Sequence, residues 1–167
     1  MSYQEHKKEA PQSVSCAVLT VSDSRTEQND DSGRLIRQKL GENGHTLVAY
    51  AVLTDEVDLI GNKILELLGQ DELQVIIVNG GTGASHRDVT VETVSSILEK
   101  RLDGFGELFR FLTYQEIGTA SIMSRAVAGV ARGKVILCLP GSPAAAELAM
   151  EKIILPEIGH LVREVTR

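Results

Sequence analysis

Apolar residues recur along this chain in two alternating rhythms. Runs of consecutive apolar, largely β-branched residues at 14–21, 45–53 and 75–78 predict strands, and the third is apolar enough to be covered on both faces, as in a parallel sheet. Between these runs the spacing becomes helical. Leu35, Ile36 and Leu40 follow Ser32, a candidate cap, and stop at Gly41 and Gly44. Val57, Ile60, Ile64, Leu67 and Leu68 form one apolar face ending at Gly69, and the series from Val91 through Val94, Ile97 and Leu98 predicts a helix over 91–102. The stretch 103–107 breaks that helix and opens another over 108–116. Runs at 126–131 and 134–139 flank Arg132-Gly133, which fits a tight hairpin. Pro143 suits the first position of a helix over 144–155, and 156–165 closes the chain.

Strands alternating with helices imply a three-layer α/β/α sandwich with a mostly parallel central sheet and an antiparallel hairpin edge, where ligands bind beyond the C-terminal ends of the strands. Residues 1–13 read as a flexible N-terminal arm and 14–167 as one domain. The 75–78 strand runs directly into Asn79-Gly80-Gly81-Thr82-Gly83, followed by Arg87, Asp88 and Thr90. Glycines there let backbone amides approach a ligand, and the helix that follows, with Thr90 or Asp88 available as its cap, makes the turn an anion site. Neither the dinucleotide fingerprint nor a P-loop is present. All three phenylalanines lie at 105, 109 and 111, and Phe109 and Phe111 cannot share a helix face, so one is expected to point outward as part of a subunit interface.

The 43% apolar content over 167 residues supports one proper core, and a net charge of -6 argues against a nucleic-acid partner. No apolar run reaches the length of a membrane span, so the chain is expected to be cytoplasmic. Cys16 and Cys138 each sit in an apolar segment and read as small buried hydrophobes. The histidines show no ligand spacing, so any metal is expected to be magnesium held by carboxylates and substrate phosphates. Four loops should meet at the ligand edge: Ser22-Asp23-Ser24-Arg25, Thr54-Asp55-Glu56, 80–88 and 140–143. They bring acids, hydroxyls, arginines and bare amides but no nucleophile constellation. Such a site suits phosphoryl or nucleotidyl transfer, in which positioning and charge neutralisation carry the chemistry.

Thr20-Val-Ser-Asp23, Gly80-Gly-Thr-Gly83 with Arg87-Asp88-Val-Thr90, Gly104-Phe-Gly-Glu107, Met123-Ser-Arg125 and Leu139-Pro-Gly-Ser-Pro143 together resemble the MoaB/Mog family of molybdenum-cofactor biosynthesis proteins. The likeness covers nearly all of 14–165. It implies the molybdopterin-binding fold, a cytoplasmic homotrimer or homohexamer, possible contacts with other proteins of the pathway, and binding of molybdopterin. In active members it further implies transfer of AMP from ATP, with Mg²⁺, to the terminal phosphate of molybdopterin, releasing pyrophosphate. Carried over by motif, Asp55 and Asp88 are similar to the family's two essential acids and would hold Mg²⁺ through the substrate phosphates. Gly80, Gly81, Thr82 and Gly83 would cradle phosphate or pterin. Ser22, Asp23, Ser124, Gly141 and Ser142 would add contacts, and Arg87 or Arg125 would offset developing charge. Thr54 and Ala144 depart from the family pattern. The alternative the resemblance allows is a non-catalytic molybdopterin-binding carrier or scaffold of the same pathway.

Overall fold

The computed structural model describes residues 3–167. In chain order the elements are α1 (Tyr3–Lys8), β1 (Ser15–Val21), α2 (Asp31–Glu42), β2 (Thr46–Leu53), α3 (Val57–Leu68), β3 (Val75–Asn79), α4 (Thr90–Ile97), β4 (Lys100–Arg101), α5 (Asp103–Ile117), β5 (Val127–Ala131), β6 (Lys134–Leu139), α6 (Pro143–Ala149) and α7 (Leu155–Val165). The sheet order is β2-β1-β3-β6-β5-β4. Strands β2, β1, β3 and β6 run parallel, while β5 pairs antiparallel with both β6 and β4. The expected sandwich and its antiparallel hairpin are therefore present. Arg132 (φ 49°) and Gly133 (φ 71°) make the left-handed turn between β5 and β6.

Alternation along β1 and β3 divides the core. Cys16, Val18, Val75 and Ile77 face α2, α5, α6 and α7, and Ala17, Leu19, Ile76 and Val78 face α3 and α4. Ile60, Ile64 and Leu67 of α3 are fully buried, each worth roughly 1.5–3 kcal/mol of transfer free energy. Val57, placed on that face by its spacing, is instead exposed in the first turn of α3. As expected of the phenylalanine cluster, Phe109 is buried and Phe111 points outward, leaving Phe105 stacked on Phe109 at 6.5 Å.

Three sequence expectations are revised. The helix predicted over 91–102 stops at Ile97, and Lys100–Arg101 pairs with β5 as a two-residue edge strand, since the Glu99 and Leu102 amides donate to the Val130 and Ala128 carbonyls. The closing helices are continuous. Pro156 cannot donate to a preceding carbonyl, and the chain widens there into a π-helical turn, Met150–Ile154, without breaking. The segment read as an arm carries α1, whose Lys7 pairs with Glu157 at 2.8 Å and whose neighbour Glu9 pairs with Arg163; the Pro11 carbonyl closes on Gly159, where no Cβ would fit. Among the described residues no helix is long and apolar enough to cross a membrane.

Candidate functional site

After β1 the chain turns toward β2, whereas after β3 it turns the other way, so the loops leaving β1 and β3 diverge and open a crevice. A cavity of about 430 Å³ occupies that crevice. Its walls come from the ends of β1 (Thr20–Ser22), β3 (Gly80–Gly83) and β6 (Pro140, Gly141), with Arg25, Ser32, Asp55, Asp88, Met123 and Ser124 completing them.

The glycine loop divides its work. Gly80 (φ +95°) gives its amide to the Leu139 carbonyl, and a Cβ there would meet the Val21 carbonyl oxygen at 2.1 Å, so this glycine allows close strand packing. Gly81 (φ +66°) sits against the acid: a Cβ would lie 2.6 Å from Asp55 Oδ1 and 2.2 Å from Thr90 Oγ1. Its carbonyl accepts from the Thr90 amide. Thr90 Oγ1 is fully buried and has no hydrogen-bond partner among the described residues. Thr82 is buried, with its carbonyl accepting from Arg125 Nε at 2.9 Å.

The two candidate acids are held differently. Asp55 is 9% exposed, and its carboxylate accepts from no described side chain, the Asp23 backbone amide alone acting on it as a weak donor. Burial, then the neighbouring charges of Asp23 and Asp88, push it above the usual carboxylate range. Asp88 Oδ2 accepts from the Ser85 hydroxyl (2.7 Å) and amide (3.0 Å), which holds this carboxyl low and closes the loop on itself. Neither Asp88 nor Thr90 caps α4, whose first residue follows Val89 with no side-chain cap. Among the described residues no group of three ligating side chains could hold a metal ion. The acid pair, with Asp55 loaded by like charges, fits a hard cation such as Mg²⁺ that takes its remaining oxygens from substrate.

The other expected site residues lie at varied distances from the cavity. Ser22 lines it, and its Oγ accepts from the Ser24 and Arg25 amides. Asp23 lies behind the wall, accepting from the Asp55 amide and from Arg87 Nε and Nη2, each at 3.0 Å. Arg87 also reaches Glu56, so its guanidinium clamps the β1 and β2 loops together. Arg125 is bound to Glu92 in the same two-pronged way. Ser124 and Gly141 line the cavity, whereas Ser142 caps α6 through the Ala145 amide and faces a smaller apolar hollow of about 260 Å³ that shares Ser124 and Pro140.

Beneath the cavity floor is a polar network that sequence reasoning missed. Asp30, with no exposed surface, accepts from Thr20 Oγ1 (2.6 Å), Tyr50 OH (2.6 Å) and the Gly33 amide (3.0 Å), so Asp30 caps α2 and Ser32 does not. The Ser32 hydroxyl shares its proton between Asn79 Oδ1 at 2.8 Å and, more weakly, Asp30 Oδ1 at 3.3 Å, and Asn79 Nδ2 returns to Thr20 Oγ1 at 2.9 Å. Burial alone would raise the Asp30 carboxyl, but the bonds from Thr20, Tyr50, Gly33 and Ser32 outweigh it and hold it low. The same burial and the Asp30 charge lift the Tyr50 phenol to about 12. The only sequence signal was the polar pair Thr20 and Asn79 in otherwise apolar strands, which the sheet register places side by side.

Residues 17–160 match the family described as a probable molybdopterin binding domain. The chain is 48% identical over 168 residues to molybdenum cofactor biosynthesis protein B of Halalkalibacterium halodurans, covering 100% of this chain and 99% of that one. It is similar to a crystal structure of a molybdenum cofactor biosynthesis protein B at a TM-score of 0.92 and 44% identity, over 95% of this chain and 99% of the other. The crystal structure of tungsten cofactor synthesizing protein MoaB from Pyrococcus furiosus aligns at a TM-score of 0.87 and 34% identity, covering 95% of this chain and 100% of that one. With that match spanning most of the chain and a relative 48% identical over its whole length, the chain belongs to the family of probable molybdopterin binding domains.

Proposed function

We propose that this protein acts in molybdenum-cofactor biosynthesis, binding molybdopterin in the crevice and transferring AMP to its terminal phosphate from ATP. In that reaction a phosphate oxygen of molybdopterin attacks the α-phosphorus of ATP. A new P–O–P linkage forms as the bond to the β-phosphate bridging oxygen breaks, and pyrophosphate leaves with the electron pair. The observation that carries this reading is the meeting of two acids, Asp55 and Asp88, with the Gly81–Thr82 backbone at one diverging-loop cavity. A phosphate monoester is already nucleophilic at neutral pH, so the work left to the protein is bringing two anions together in line. Asp55 and Asp88 would hold Mg²⁺, which when bound neutralises the charge of the phosphates. The Gly81 and Thr82 amides would donate to phosphate oxygens, and Asp23 fixes the Asp55 backbone by accepting its amide at 3.0 Å. Thr90 Oγ1, without a partner among the described residues, supplies a donor beside Asp55.

One observation favours a second reading, that of a non-catalytic carrier or scaffold: Asp88 already spends one oxygen on Ser85, leaving the pair short of a fully free second ligand. Incubating purified protein with molybdopterin, ATP and magnesium separates the two. Adenylylated molybdopterin with stoichiometric pyrophosphate is the expected result. Tight pterin binding without product, together with no heat on ATP titration, would establish the carrier. We further propose a cytoplasmic homotrimer or homohexamer, supported by the exposed apolar run of Phe111, Tyr114, Ile117, Ile122 and Met123 along α5 and the 3₁₀ turn after it. A monomer by light scattering at micromolar concentration would refute that assembly.

A further inference from the structure

The cavity is lined by two carboxylates, Asp55 and Asp88, and by a single cationic side chain, Arg25. The other two arginines near the crevice are committed: Arg87 to Asp23 and Glu56, Arg125 to Glu92 and the Thr82 carbonyl. Arg25 is not. Its Nη1 donates to the Asn29 carbonyl at 2.9 Å and lies 3.9 Å from Asp31 Oδ2, a loose pair with both side chains about half exposed. Nε and Nη2 have no partner among the described residues. The backbone of Arg25 is nonetheless fixed, because its amide donates to Ser22 Oγ at 3.2 Å.

Strand order gives this arginine its place. β1 lies between β2 and β3, so the loop carrying Arg25 leaves the sheet between the loop bearing Asp55 and the loop bearing Asp88. A phosphoryl group brought beside that acid pair enters a cavity whose side chains sum to a net negative charge. Bare amides offset part of the repulsion, and a guanidinium with an open edge can take two phosphate oxygens at once, which a lysine could not.

We propose that Arg25 is the phosphate receptor of this cavity, a specificity-determining residue that binds the terminal phosphoryl dianion of the substrate through Nε and Nη2. This rests on the reading that the cavity binds phosphorylated substrates. Arg25 discriminates a phosphorylated pterin or a polyphosphate from its dephosphorylated counterpart, and Asp55 and Asp88 remain the acids of the reaction.

The test is calorimetry on the full-length protein with two probes in separate arms, inorganic phosphate for the monoester and tripolyphosphate for the nucleotide tail. Arg25→Ala and Arg25→Gln are compared with wild type, and melting curves check that both fold. Neither change touches the core. We expect wild type to bind at least one probe, and both variants to bind it more weakly by about 10-fold or more, the scale of a lost charge-assisted pair. Loss confined to inorganic phosphate assigns Arg25 to the monoester, and loss confined to tripolyphosphate assigns it to the nucleotide. Equal binding by wild type and Arg25→Gln, or no binding of either probe by wild type, overturns the proposal. An Arg25 effect on the probes in a protein that makes no adenylylated product would leave the receptor standing and remove the enzymatic reading. Full adenylylation with a normal KM for molybdopterin and for ATP in Arg25→Ala would do the reverse.

Discussion

Asp30 and Asp55 are both buried acids in loops following neighbouring strands, and they are opposites in every other respect. Three good donors from three elements converge on Asp30, from Thr20 of β1, Tyr50 of β2 and the Gly33 amide of α2. Asp55 has only the backbone amide of Asp23 as a donor, the weakest of the influences on it, and its carboxylate faces two other acids and the wall of a cavity. The fold satisfies the first completely and leaves the second exposed to like charge. A buried carboxylate with one weak donor and two like-charged neighbours is costly in isolation, and a ligand whose positive charge completes it would remove that cost. Under the proposed function, stability resides beneath the cavity floor and ligand binding in its wall.

Three substitutions sharpen that contrast. Asp30→Ala strands the Thr20 and Tyr50 hydroxyls and uncaps α2, and should cost roughly 3–5 kcal/mol in urea denaturation. Whatever fraction of Asp30→Ala remains folded should retain its affinity for ligand. Asp55→Ala should behave conversely, with stability unchanged to within about 1 kcal/mol and AMP transfer to molybdopterin reduced by about 10²-fold or more. A destabilisation of Asp55→Ala comparable to that of Asp30→Ala would erase the distinction. Tyr50→Phe, which removes one hydrogen bond to Asp30 and leaves the ring under Arg37 at 3.8 Å, should cost about 1–1.5 kcal/mol.

The two regions were unequally legible in the sequence. The β3 run, the glycines after it and Asp55 are local signals, and the loops they predict meet where strand order says they should. The Asp30 network is not local. Asp30, Asp31 and Ser32 are all plausible caps, and the choice falls to Asp30 because Thr20 and Tyr50 reach it from two other strands. Likewise β4 was hidden because Lys100 and Arg101 carry no apolar pattern; they join the sheet through backbone pairing with Val130 and Gly129 alone. Arg25 was visible as a residue but not as an uncommitted one, since only coordinates show that Arg87 and Arg125 are already paired. Secondary structure could therefore be read from periodicity, while the division of polar residues into satisfied and unsatisfied required the fold.

The smallest expected effect is the most discriminating, because the two acids should pull stability in opposite directions with pH. Asp30 has its folded value lowered, so the stability it contributes is present above its unfolded value and is lost as pH falls through the folded one. Asp55 has its folded value raised, first by burial and then by Asp23 and Asp88. Its contribution is complete below the unfolded value and disappears as pH rises through the folded one, leaving an unfavourable charge at neutrality. Asp55→Asn should therefore melt slightly higher than wild type at pH 7, by about 2 °C or less, and lose that advantage in acid. Adding magnesium with ATP should erase the difference from the other side by stabilising wild type more than the variant. An Asp55→Asn variant that melts lower than wild type at pH 7, without ligand, would mean that Asp55 is held by the protein as Asp30 is.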